Sequence, residues 1–87
     1  MELTLQIKNK AGLHARPAAI FAQKCSTFKS SITIIKENKQ ANGKSLINLM
    51  GLSVKQGDTI TVKIDGPDAA EAGAALKKIV DDKFGEE

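Results

Sequence analysis

The sequence predicts an α+β domain of two layers, a four-stranded antiparallel sheet covered on one face by three helices, and three observations point to it. The segments Glu2 to Lys8 and Thr59 to Asp65 alternate apolar and polar residues strictly, which is the period of a strand wet on one side only. The segments that follow Pro17 and Pro67 repeat apolar residues at helical spacing. The chain has 87 residues, which suits a single domain over 1–87. At this size folding buries only about 60 to 65% of the unfolded surface, so the core must be small.

In the first strand Leu3, Leu5 and Ile7 share one side, and Glu2, Thr4, Gln6 and Lys8 the other. Asn9-Lys10-Ala11-Gly12 is turn-rich and ends it. From Pro17 onward Ile20, Phe21, Cys25 and Phe28 form a helical stripe, with Pro17 in the first turn, where its missing N–H is no loss. Ser31 to Lys36 is a second strand, with Ile32 and Ile34 facing one way. Glu37-Asn38-Lys39 turns it into a short third strand near Gln40 to Asn42, giving a hairpin. Ser45 is the N-cap of a short helix reaching about Leu52. Gly57-Asp58 turns into the fourth strand, where Ile60, Val62 and Ile64 face one way. Gly66-Pro67-Asp68 opens the last helix, whose stripe of Ala69, Ala72, Leu76, Ile79 and Val80 ends near Phe84 and Gly85. The element order is β-α-β-β-α-β-α, and the face bearing Thr4, Gln6, Thr33, Thr61 and Lys63 is expected to meet solvent.

Composition narrows the function. With 41% hydrophobic and 26% charged residues, the chain has the balance of an ordinary globular domain. No apolar run approaches the roughly 20 residues that cross a bilayer, so no membrane insertion is expected. The start MELTLQIKNK lacks the pattern of a secretory signal, and a cytoplasmic protein is expected. Cys25 and His14 are each single, which rules out an internal disulfide and a conventional zinc site; no metal is expected. Cys25, on the stripe of the first helix, is expected to be a core residue rather than a nucleophile. No GxxxxGK[ST] loop binds a nucleotide, and no cofactor is expected. The net charge of +3, with no Trp, no Tyr and three Phe, suits an acidic protein partner at least as well as a nucleic acid.

The lone histidine lies in Gly12-Leu13-His14-Ala15-Arg16-Pro17-Ala18-Ala19, where strand gives way to helix. By position alone it is a surface or capping residue. Its neighbours suggest more. Neutral imidazole, with an ordinary pKa of about 6.5, offers one ring nitrogen as a nucleophile near neutral pH while a hydrogen bond holds the other. A phosphoryl group accepted there would meet unpaired N–H groups of the helix start and the guanidinium of Arg16. The helix dipole adds only about 0.3 to 1 kcal/mol, up to about 2, which suits a group that must be passed on. Gly12 frees the loop backbone, and Pro17 fixes the start of the helix.

GLHARPAA after a short strand, Lys44-Ser45 opening a short helix, and this length and element order resemble the HPr family of histidine-containing phosphocarriers of the bacterial sugar phosphotransferase system. The resemblance covers essentially the whole chain. It implies an open-faced β-sandwich, in which His14 takes a phosphoryl group at Nδ1 from phospho-enzyme I and donates it to sugar-specific IIA domains. Arg16 would help to neutralise the phosphate. A monomer is expected.

On a wheel of about 100° per residue, Leu46, Met50 and Ile47 fall at about 0°, 40° and 100°, and Leu49 and Leu52 at about 300° and 240°. That arc of about 220° is wider than one buried side requires, so part of it is expected to be exposed as a docking patch, unless a neighbouring loop covers all five. By resemblance, Leu49 and Leu52 go to the core and Leu46, Ile47 and Met50 to the partner surface. Ser45 matches the serine that an HPr kinase/phosphorylase modifies in many Gram-positive members, although Asn48 and Gly51 depart from the K-S-I-M-G-V-M-S-L pattern of those members. Two alternatives stand beside the sugar phosphocarrier: a nitrogen-related or regulatory paralogue, and a small basic nucleic-acid-binding module, which the scarcity of aromatics and of clustered Lys and Arg disfavours.

Overall fold

A computed structural model describes residues 1–86. The order is β1 (Glu2–Gln6), α1 (Ala15–Ser26), β2 (Ser31–Lys36), β3 (Lys39–Asn42), α2 (Leu46–Gly51), β4 (Thr59–Asp65) and α3 (Ala69–Asp81), with a tight turn at Lys83–Gly85. The four strands form one antiparallel sheet in the order β1-β4-β2-β3. This is the α+β architecture the alternation implies. One sheet face carries Leu5, Ile32, Ile34, Ile60, Val62 and Ile64, all buried under the helices. Phe21 and Cys25 of α1, Leu49 of α2 and Leu76 and Val80 of α3 close the core above it. Each such side chain contributes about 1.5 to 3 kcal/mol by leaving water.

Several boundaries differ from the sequence reading. β1 stops at Gln6 rather than Lys8, yet Ile7 stays buried and paired: its N–H donates to the Asp58 carbonyl (2.8 Å) and its carbonyl accepts from Gly57 N–H (2.7 Å). α1 starts two residues before Pro17 and ends before Phe28, which packs, half-buried, against the core from the following loop. Thr33 and Thr61 are half-buried rather than open to solvent. They sit on β2 and β4, the two inner strands, where neighbours on both sides cover them.

Asp68 precedes α3 without making a side-chain cap. Its carboxylate instead accepts from Lys29 N–H (2.9 Å), from Ser30 N–H (3.0 Å) and from the Ser30 hydroxyl, tying the end of the α1–β2 loop to the start of α3. Those donors, the Ser30 hydroxyl first and the Lys29 N–H second, hold its carboxyl below the usual carboxylate range. The stability this gives is therefore present above about pH 4 and is lost as pH falls through the lowered folded value. Asp68→Ala is expected to lower the thermal midpoint at neutral pH and to flatten part of the acid limb of midpoint against pH. An acid limb identical to that of the native chain would show that these bonds contribute nothing.

Candidate functional site

His14 is the N-cap of α1, with φ −73° and ψ −177°. Extended backbone sends successive side chains to opposite sides, so Leu13 is buried while His14 stands in solvent. The His14 carbonyl accepts from Ala18 N–H at 2.8 Å, but its imidazole makes no capping bond. By helix geometry the N–H groups of Ala15 and Arg16 have no acceptor in their own helix, and Pro17 has none to offer. No acidic side chain occupies this first turn, so the positive helix end is left uncompensated beside the imidazole. Arg16 is exposed and, among the described residues, forms no ion pair.

The loop before His14 is held from several sides. Leu13 N–H donates to the Val54 carbonyl at 3.1 Å, and Gly12 N–H to the Asn9 carbonyl at 3.2 Å. Gly12 has φ +62°, and a Cβ there would collide with the Val54 carbonyl oxygen and the Lys55 Cα. Asn9 is wholly buried, and its Nδ2 donates to the Gly12 carbonyl and to Glu86 Oε1, each at 2.9 Å. Asn9 reads in the sequence as one more turn residue; its only local signal is an asparagine three residues before a glycine.

The facing loop is fixed in turn. Lys36 Nζ donates to the Ser53 carbonyl (2.8 Å) and pairs with Asp58 (3.0 Å), whose carboxylate also accepts from Lys55 N–H (2.8 Å). The Lys55 N–H first, and Lys36 after it, hold the Asp58 carboxyl below its ordinary range. Between the two loops lies a shallow cavity of about 540 Å³, where His14 and Leu13 meet Lys10, Met50, Lys55 and Gln56. Among the described residues no acidic side chain lines it.

α2 divides as its wide apolar arc implies. Leu49 and Leu52 are 0% and 2% exposed, whereas Leu46, Ile47 and Met50 are 38%, 81% and 41% exposed. Met50 reaches the cavity beside His14. Ser45 caps this helix, its Oγ accepting from Asn48 N–H at 3.3 Å. Cys25 is buried in the core, and burial pushes its thiol up to about 12, which keeps it un-ionised and unreactive. Among the described residues no cluster of three or more His, Cys, Asp or Glu is placed to hold a metal ion, and no helix is long and apolar enough to cross a membrane.

Comparison with known proteins agrees with this geometry. Residues 1–82 match the family described as "PTS HPr component phosphorylation site". The phosphocarrier protein HPr of Mycoplasma capricolum is 47% identical over 76 residues, covering 87% of this chain and 85% of that protein. The HPr-like protein Crh of Halalkalibacterium halodurans is 45% identical over 76 residues, covering 87% and 90%. The crystal structure of HPr-C-His from Thermoanaerobacter tengcongensis superposes with a TM-score of 0.97 at 48% identity, covering 100% and 98%.

The close approach at Gly12 makes a sharp prediction. Gly12→Ala combines positive φ with a clash against backbone, and is expected to destabilise the fold by about 1 to 3 kcal/mol, read as a lower midpoint in urea unfolding. A midpoint equal to that of the native chain would mean that the loop rearranges without cost.

Proposed function

The chain belongs to the HPr family of phosphotransferase-system phosphocarriers, and we propose from that premise that His14 accepts the phosphoryl group of phospho-enzyme I and passes it to sugar-specific IIA domains. One observation carries the assignment: an exposed imidazole, free of any capping bond, at the head of a helix whose first turn holds no acid. The lone pair on Nδ1 attacks phosphorus in line. The N–P bond to the donor histidine breaks, and the donor ring, protonated on its other nitrogen, leaves as neutral imidazole with that bond's electron pair. His14 gains the N–P bond and keeps its own Nε2 proton, so the two histidines exchange states with no net proton released. The free N–H groups of Ala15 and Arg16 and the Arg16 guanidinium donate to the phosphoryl oxygens, and Pro17 fixes the helix start that aims them.

The partners would meet the exposed arc of Leu46, Ile47 and Met50, which adjoins the His14 cavity and offers an apolar centre with a basic rim from Arg16 and Lys residues. Ser45 is the proposed regulatory site, since a phosphate added there by an HPr kinase would put negative charge next in sequence to Leu46 and Ile47. The protein is proposed to act as a cytoplasmic monomer of one domain. The histidine removes only the version of a regulatory paralogue that has lost it, so the nitrogen-related or regulatory reading stands as the alternative.

Incubation with enzyme I, Mg²⁺ and phosphoenolpyruvate is expected to add one acid-labile phosphoryl group, seen by intact mass and absent from His14→Ala; no gain with several cognate enzyme I proteins would sink the carrier reading. Ile47→Glu and Ser45→Asp each place negative charge at the docking arc. Both are expected to raise KM for enzyme I by about tenfold or more with the fold intact. Unchanged transfer kinetics in both variants would move the docking surface elsewhere.

A further inference from the structure

We infer that Asn9 is a positioning residue for His14, acting as a buried brace between the active loop and the C-terminal segment through its bonds to the Gly12 carbonyl and the Glu86 carboxylate. The inference rests on the reading that His14 takes the phosphoryl group.

The Gly12 carbonyl and the Leu13 N–H belong to one peptide unit. Asn9 Nδ2 grips the oxygen end at 2.9 Å, and the Val54 carbonyl grips the N–H end at 3.1 Å. A peptide plane held at both ends cannot rotate, and this plane immediately precedes the Leu13–His14 dipeptide. Its orientation therefore sets where the imidazole stands relative to the free N–H groups of the first turn of α1.

The amide of Asn9 has only one workable orientation. Both of its neighbours at 2.9 Å are acceptors, so the NH₂ must face them; the reversed amide would set an oxygen against two oxygens. That orientation leaves Oδ1 buried without a partner among the described residues. An orphaned buried acceptor is unfavourable, and an apolar residue here would avoid it. Local rules of this kind are broken where a site requires it.

The second anchor is itself built under constraint. Lys83, Phe84 and Gly85 all have positive φ, the first two in the left-handed region that bulky residues avoid. Phe84 is nonetheless buried, its ring centroid 6.3 Å from that of Phe21 in α1. The turn thus fixes the C-terminal segment to the core just before Glu86, which reaches Asn9.

Transfer rates with enzyme I, resolved into turnover and KM, test the brace. In Asn9→Ala, turnover is expected to fall about tenfold while KM for enzyme I stays within about twofold, because a misaimed imidazole reacts slowly without losing its docking surface. Amide exchange at Leu13 is expected to speed up, and the thermal midpoint to fall, since the buried Gly12 carbonyl loses its donor. Should Asn9→Ala fail to fold, Glu86→Ala and Glu86→Gln decide the matter. Glu86→Ala is expected to slow turnover, and Glu86→Gln, which keeps an acceptor oxygen, to recover most of that loss. Turnover in Asn9→Ala within about twofold of the native rate, or Leu13 exchange unchanged, would overturn the brace. A native protein that accepts no phosphoryl group would instead overturn the carrier reading, leaving Leu13 exchange to judge the brace alone.

Discussion

One face of the sheet carries Leu5, Ile32, Ile34, Ile60, Val62 and Ile64, and the need to keep water from that face places everything else. Only helices are available to cover it, and the strand order β1-β4-β2-β3 makes α1 cross the sheet on its way from β1 to β2, over the position that β4 fills. The register sets the rest. Because Gln6 pairs with Thr59, the chain leaving β1 must run beside the chain entering β4. Ile7 accordingly meets Gly57 and Asp58, and Leu13 meets Val54. The His14 site stands at the junction of these two loops as a consequence of strand pairing.

The same constraint explains why an exposed side chain is so firmly located. Leu13 is a buried apolar anchor bonded to Val54, and a single extended step from it turns His14 outward. The first turn of α1 then begins at once, with Pro17 presetting its backbone and no acid to draw the N–H groups away. Rigidity comes from buried neighbours, and the imidazole they place in solvent makes no capping bond of its own.

What the sequence disclosed was whatever depends on near neighbours. Strict alternation found both β1 and β4, and the Ser45 cap and the excess width of the α2 arc followed from residues a turn or two apart, whereas the division into Leu49 and Leu52 against Leu46, Ile47 and Met50 came from the family resemblance. What it hid was non-local. Thr33 and Thr61 alternate like solvent-facing residues, and only their placement on inner strands covers them. Asp68 has the look of a helix cap, yet its acceptors are taken by Lys29 and Ser30, 39 and 38 positions away. Asn9 resembles any turn asparagine until Glu86, 77 positions distant, arrives beside it. Left-handed Lys83 and Phe84 run against local preference altogether and are held by the burial of one ring.

The sparseness of the site is itself informative about a carrier. In each proposed transfer one histidine gives up the phosphoryl group that another takes, so the equilibrium depends strongly on how each protein surrounds its phosphate. A helix end contributes about 0.3 to 1 kcal/mol, up to about 2 in favourable geometry. An additional 2 kcal/mol of stabilisation would tilt the exchange about thirtyfold toward retention, and onward donation would slow in proportion. On the proposed reading, two free backbone N–H groups and one arginine on an open surface would hold the phosphate briefly and release it.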